Sequence, residues 1–239
     1  MQYRVRFLWL IGLLLAGMIA PAQPAGLYHI AKPVHLQSPA EMNRVERYLA
    51  SLDENTLIEG SMYLDDEFAP GRLQLSNNLQ VNDCFFRYNI FRDEIEFLAP
   101  DGDTMVLQYP ARVKELKIGR KHYAWVSYIH KKQENCGYME IINTGSIRLL
   151  KRTHALFEPS NPPYTALHIG NKYDRFVRVE TYYLQKDNQP AIKLKRTVNG
   201  LKKLFPDQAD FIHAYCRSNG LNPRNDHDLL ALIKALQNK

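Results

Sequence analysis

The chain has 239 residues, 31 Lys and Arg against 25 Asp and Glu, a formal net charge of +6 and 45% hydrophobic residues. It is long enough for one substantial core or two smaller ones, and with no internal repeat or low-complexity tract it is excluded from the solenoid and disordered classes. The charge is divided: beyond residue 22, 14 basic residues face 17 acidic ones up to Leu150, and 15 face 8 afterwards, about −3 and then about +7. Such a division suits an anionic surface or partner, although a solvated basic face has the same composition.

Arg4 and Arg6 precede an apolar run from Phe7 to Ala20, and Ala20-Pro21-Ala22 supplies the small-x-small pattern of a signal-peptidase site. Residues 1–22 are therefore expected to be a signal peptide cleaved after Ala22, leaving a periplasmic or secreted protein. The run is shorter than the ~20 residues of a membrane-spanning helix, and no later segment approaches that length. An extracytoplasmic site also counts against nucleic acid as partner.

Residues 23–56 form an N-terminal segment with one helix. Ser38-Pro39-Ala40-Glu41 reads as a capping box with proline at the first helical position, and Met42, Val45, Leu49 and Leu52 recur at helical spacing. From Leu57 the period becomes two, in sets such as Met62/Leu64, Leu73/Leu75, Cys84/Phe86/Tyr88/Ile90 and Val177/Val179. Turn residues at Asn77-Asn78, Pro100-Asp101-Gly102, Ile118-Gly119, Asn143-Thr144-Gly145, Gly170-Asn171 and Lys186-Asp187-Asn188 punctuate it closely. Residues 57–196 are thus expected to be a mostly antiparallel, curved β body, half-barrel or sandwich-like. Pro159, Pro162 and Pro163 mark a longer surface loop.

Residues 197–239 return to the helical period. Leu201 and Leu204 and then Phe211, Ile212 and Tyr215 form apolar stripes, and Leu229, Leu232, Ile233 and Leu236 a last one, with Asn225-x-x-Asp228 as its start signal. Two C-terminal helices packed on the body follow, in an α+β fold. Neither is long enough to be stable alone.

The stretch Phe85 to Phe97, FFRYNIFRDEIEF, carries the candidate site. Its apolar positions are even-numbered through Ile90 and odd-numbered at Phe91, Ile95 and Phe97, so the strand must slip phase by a bulge or a bend near Arg92-Asp93. Glu94 and Glu96 then share a face about 7 Å apart, a spacing that an inverting glycosidase or other hydrolase could use. Alternating glutamates on a wet strand face are common, however, and with Arg87 as ion-pair partner they read as the wall of a sheet.

Other chemistry is sparse. Eight histidines show no metal-ligand spacing, Asp65-Asp66-Glu67 lacks the spaced ligands of a calcium loop, and no serine elbow, phosphate loop or dinucleotide fingerprint occurs, so no metal and no cofactor are expected. Cys84 and Cys136, both in strand-like segments, are the favoured disulfide pair of an odd set of three, against the alternative of three free thiols. Lys193 and Lys195, beside tyrosines in or near strands, join Arg87, Glu94 and Glu96 as residues that could face a ligand or partner, by stacking and anion contact.

Together the segments MYLDDEFAPGRLQL (62–75), RYNIFRDEIEF (87–97), CGYMEIINTGSIRLLKR (136–152) and LKKLFPDQADFIHAYCRSNGLN (201–222) with DLLALIKAL (228–236) resemble a group of uncharacterised secreted or periplasmic proteins of Bacteroidota. The resemblance implies a β-rich body closed by a helical pair in a Gram-negative envelope, and brings no catalytic residues with it. The expected role is non-catalytic: binding of a ligand or an envelope protein through the curved sheet.

Overall fold

The computed structural model describes residues 38–53, 55–160, 173–187 and 189–239. The expected signal peptide, the start of the N-terminal segment, Pro162 and Pro163, and the turn at Gly170-Asn171 lie outside them. Helix α1 (Pro39–Ala50) opens with the expected capping box: Ser38 Oγ accepts from the Glu41 amide at 3.2 Å, and Glu41 Oε2 accepts from the Ser38 amide at 2.6 Å. Its apolar stripe buries Met42 and leans Val45 and Leu49 on the sheet. No helix among the described residues is long and apolar enough to cross a membrane.

Eleven strands form one sheet: β1 (Ile58–Glu59), β2 (Ala69–Leu75), β3 (Gln80–Asn89), β4 (Glu94–Leu98), β5 (Thr104–Val106), β6 (Val113–Ile118), β7 (Lys121–His130), β8 (Gln133–Ile141), β9 (Ile147–Glu158), β10 (Asp174–Lys186) and β11 (Ala191–Lys193). The fold is α+β and mostly antiparallel, as the turn spacing predicts. It departs from that pattern at two parallel pairings, β1 with β10 and β11 with β7. The second has a large consequence. Strands β7, β8, β9, β10 and β11 pair in succession and β11 returns to β7, so five strands close into a barrel rather than a half-barrel or sandwich. A three-residue strand is too short to announce itself by periodicity.

The barrel interior is filled. Ala124, Val126 and Tyr128 of β7, Met139 of β8, Leu150 of β9, Tyr183 of β10 and Ala191 of β11 pack together there, as small barrels require. Strands β6, β2, β3, β4 and β5 continue from β7 as a wing. The wing encloses a second core of Leu73, Phe86, Tyr88, Ile90, Leu116 and the outward residues Tyr123 and Tyr138 of the barrel.

The chain after the barrel makes three helices where two are expected: α2 (Val198–Leu204), α3 (Ala209–Ser218) and α4 (Asp226–Gln237). They cover the outward residues Ile147 and Leu149 of β9 and Tyr182 and Leu184 of β10 with Leu201, Ile212, Leu229, Leu232, Ile233 and Leu236. Phe211 and Tyr215 are partly buried at the edge of this third core. Polar ties fix the docking: Tyr182 Oη donates to Asp226 at 2.7 Å, and Gln237 Nε2 donates to the Ile147 carbonyl at 2.8 Å.

Candidate functional site

The phase slip in FFRYNIFRDEIEF is a complete reversal of the chain. β3 ends at Asn89, the turn Ile90–Asp93 follows, and β4 returns with Glu94 opposite Asn89. Asn89 explains why the turn forms here: its Oδ1 accepts from the amides of Phe91 at 3.2 Å and Arg92 at 3.0 Å, an Asx-turn in place of a backbone one. Asp93 completes it at φ 59°, a left-handed conformation that aspartate tolerates better than most residues.

This turn acts as a wedge. β8 and β9 pair at Glu140–Lys151 and Ile141–Leu150, with one more backbone bond from the Ile142 amide to the Leu149 carbonyl, and toward Tyr138 and Ala155 they splay apart. The turn enters the gap. The Ala155 amide of β9 donates to the Ile90 carbonyl at 3.0 Å, and the Tyr138 amide of β8 donates to Asp93 Oδ1 at 3.3 Å. One aspartate thereby satisfies a strand edge that its neighbour has left. Asp93 also accepts from Tyr88 Oη at 2.5 Å and from Arg152 at 3.2 Å. Both members of the Asp93–Arg152 pair are nearly sealed, with side chains 3% and 6% exposed. Gly137 belongs to the same device, because a Cβ there would stand 2.7 Å from Asp93 Oδ2 and 3.2 Å from Arg152 Nε.

Arg87 and Glu96 are also brought together, on the other side of the wing. Arg87 donates twice to Glu96 Oε2, at 3.1 and 2.6 Å, while Asn89 Nδ2 reaches Glu96 Oε1 at 3.4 Å. The guanidinium lies 3.7 Å from the centroid of the Tyr63 ring and 4.4 Å from that of Phe68, and it donates to the Asp66 carbonyl. Glu96 is buried and both its oxygens are engaged. Glu94 is half-buried, and burial pushes its carboxyl up from the usual range while Arg92 draws it back. Glu96 is thus held by Arg87 and Asn89 and is 7% exposed. A nearby cavity of about 20 Å³, bordered by Phe86, Arg87 and Tyr123, has room for about one water.

Cys84 and Cys136 do not pair: they lie on β3 and β8, with β2, β6 and β7 between them in the sheet, and both thiols are free, as is Cys216. Tyr123, Tyr128, Tyr138, Tyr182 and Tyr183 are buried in the cores, so they are not available as a stacking platform. Arg196, which follows the lysine pair, is taken up in docking α4. It donates to the Pro223 and Arg224 carbonyls and pairs with Asp226. Among the described residues no three His, Cys, Asp or Glu side chains gather as metal ligands.

Lys193 is different. Ala191 faces the barrel interior, so alternation turns Lys193 inward at the rim; the same count from Tyr128 turns His130 inward, and from Leu150 turns Arg152 and His154 inward. Four basic side chains therefore form the layer above the apolar filling. Arg152 and His154 of this layer are absent from the candidates that the sequence suggests, and Asp93 figures there only as part of a bend. The signal was present in the even-numbered run Leu150, Arg152, His154, Leu156, where basic residues take the face of a leucine.

His154 is 8% exposed, and neither ring nitrogen has a hydrogen-bond partner. Burial first, then the charge of Arg152, holds its pKa down at about 4, so the ring is neutral at pH 7; Lys193 and His130 push the same way, and Asp93 opposes them. His130 is lowered as well, by burial and then by Lys131, Lys193 and Arg152. At the rim the β7–β8 turn places Lys131 and Lys132 both at positive φ, 48° and 66°. Asn and Gly are the ordinary choices for such a turn. Two consecutive lysines there cost of order 1 kcal/mol or more each.

Comparison with protein-family models, curated proteins and solved structures finds no match to this chain.

Proposed function

We propose that this is a non-catalytic extracytoplasmic protein that binds an anionic partner at the basic rim of its barrel. One observation carries the reading. Lys131 and Lys132 follow His130 in the β7–β8 turn and Lys193 ends β11, which runs parallel to β7, so all three lie at the same end of the barrel, and among the described residues none of them forms an ion pair with a carboxylate. The neighbouring Glu134 is held by Ser127, and Asp93 by Tyr88, Tyr138 and Arg152. Lys195, two residues past β11, adds a further exposed charge. An unpaired cationic rim attracts negative partners over the ~8–10 Å screening lengths of physiological salt.

The filled barrel supports binding at the rim over enclosure of an apolar ligand by the sheet. The locked Glu96 takes support from the hydrolase alternative, since an acidic pair needs both carboxyls open to substrate. The Gram-negative envelope as setting rests on the N-terminal residues and on the Bacteroidota resemblance alone.

The test is association of the purified chain with acidic and with neutral phospholipid vesicles at low and high salt, alongside N-terminal sequencing of protein from an envelope fraction. The reading expects binding to acidic vesicles that weakens with salt, and a mature start at Gln23. Equal binding to both vesicle types would overturn the electrostatic attraction, and no binding to either would remove an anionic membrane as the partner; an intact Met1 on cytosolic protein would overturn the location.

A further inference from the structure

We propose that the mouth of the barrel is a binding site for a single tetrahedral oxyanion group, phosphate or sulfate, held by His154 and His130 with Lys193 as counter-charge. This rests on the anionic-partner reading and gives it an address: the partner's recognised group enters the barrel mouth.

His154 carries a hydrogen-bonding deficit. A buried polar atom without a partner costs about 1–3 kcal/mol, and a native structure that carries one needs a reason such as an ion or water. His154 has two such atoms. A neutral imidazole has one N–H to give and one nitrogen that accepts. The charged groups that face it from each packed element are few. β9 contributes Arg152, β7 and its turn contribute His130 and Lys131, β11 contributes Lys193, and the β3–β4 turn contributes Asp93. Asp93 is the one acid among them and already accepts from three donors. β8 presents Asn135 to this layer, whose Nδ2 donates to the Gln133 carbonyl, and β10 presents uncharged Thr181 and Val179. The layer thus carries an excess of donors and positive charge over acceptors.

An oxyanion corrects each imbalance at once. It accepts from His154 and His130, and its charge balances Lys193, which binds phosphate-type groups as a point charge where an arginine fork is already committed elsewhere. Asp93 commits Arg152 in that way. Because a bound anion favours the protonated imidazoles, binding should take up protons and tighten as pH falls.

The experiment follows the imidazole resonances of His154 and His130 by NMR in the purified full chain, titrated with sodium sulfate at constant ionic strength. Sulfate is the probe because it does not itself titrate near neutral pH. Both rings should shift and saturate together, more tightly at pH 6 than at pH 7.5. Lys193→Gln, at an exposed position that should not disturb folding, should weaken the apparent Kd about tenfold, whereas Lys203→Gln on α2 should leave it unchanged. His154→Phe should abolish the saturable shift of His130. An absence of saturation, or equal weakening by the two lysine variants, overturns the site.

Vesicles distinguish the source of the group. If phosphatidylglycerol vesicles reproduce the sulfate shifts, the group is a lipid headgroup; if sulfate alone does so, it is a free or small-molecule oxyanion. Acidic-vesicle binding that leaves His154 unmoved and survives Lys193→Gln sinks this site while the anionic-partner reading stands. Saturable sulfate binding with no vesicle association keeps this site and removes an anionic membrane as the partner.

Discussion

The two faces of β9 and β10 are finished differently. Outward, Ile147, Leu149, Tyr182 and Leu184 are covered by α2, α3 and α4, and the polar groups at the seam are matched, Tyr182 by Asp226 and the Ile147 carbonyl by Gln237. Inward, Leu150 and Tyr183 pack in the barrel, but the next layer holds His154 without a partner and a lysine rim without carboxylates. The same strands therefore carry one face completed by the chain itself and one that calls for something from outside. Tyr138 Oη and Gln208 Oε1 are also buried without a partner on the outward side, but each is a single atom of an uncharged group, whereas the inward layer gathers both ring nitrogens of His154 beside a basic rim.

The largest effect in this comparison is expected at the wedge that holds the inward face together. Asp93→Ala leaves Arg152 buried and charged and frees the Tyr138 amide, and should cost about 3–5 kcal/mol in urea unfolding. The double variant Asp93→Ala/Arg152→Met should cost less than the sum of the two singles, because it removes the uncompensated charge. Additive losses would mean that the pair is not a unit.

On the outward face, Leu232→Ala removes a fully buried side chain between α4 and the sheet. It should lower stability by about 2–5 kcal/mol. Its sulfate and vesicle binding, measured below its melting temperature, should be unchanged. A Leu232 variant that kept its stability and lost binding would place the binding face under the helices instead.

The smallest effect is the pH dependence of His154. Its folded-state pKa, about 4, lies below the ~6.5 of the unfolded chain. The unfolded chain thus binds more protons between those values, and stability falls as pH falls through them. From pH 7 to pH 6 this one group accounts for a loss of about 0.7 kcal/mol. His154→Phe should remove that increment from the pH profile in oxyanion-free buffer. An unchanged slope would show that the ring is not buried as a neutral group.

Much of this fold is legible in the residues. The Ser38–Glu41 box, the period-two sets at Leu73/Leu75, Cys84–Tyr88 and Val177/Val179, the α+β class and the helical stripes at Ile212 and Leu229–Leu236 each reflect a local rule and form where it operates, whereas Met62/Leu64 makes bends with a single bridge of Tyr63 to Asn89 instead of a strand. Barrel closure is not local: it depends on β11, three residues long and paired in parallel with β7. The wedge fails to read for a related reason. Asn89 and Asp93 look like a bend within one strand until the splay of β8 from β9 shows what the turn is filling. Among the candidate residues, Arg87 and Glu96 are adjacent and mutually satisfied, Glu94 is beside them, and Lys193 belongs to another region of the molecule. The period-two run Leu150, Arg152, His154, Leu156 gives the face of His154, but its lack of hydrogen-bond partners is visible only in three dimensions.

One measurement bears most directly on the division between a completed face and an open one. Two triple variants remove the same charge from opposite faces: Lys131→Gln/Lys132→Gln/Lys193→Gln at the rim, and Lys202→Gln/Lys203→Gln/Lys234→Gln on the helices. Their affinities for acidic vesicles are compared at equal ionic strength. The rim variant should lose binding by at least about tenfold, ~1.4 kcal/mol, while the helical variant stays close to the parent. Equal losses in the two would contradict the account, for the attraction would then be a property of net charge and not of the barrel mouth.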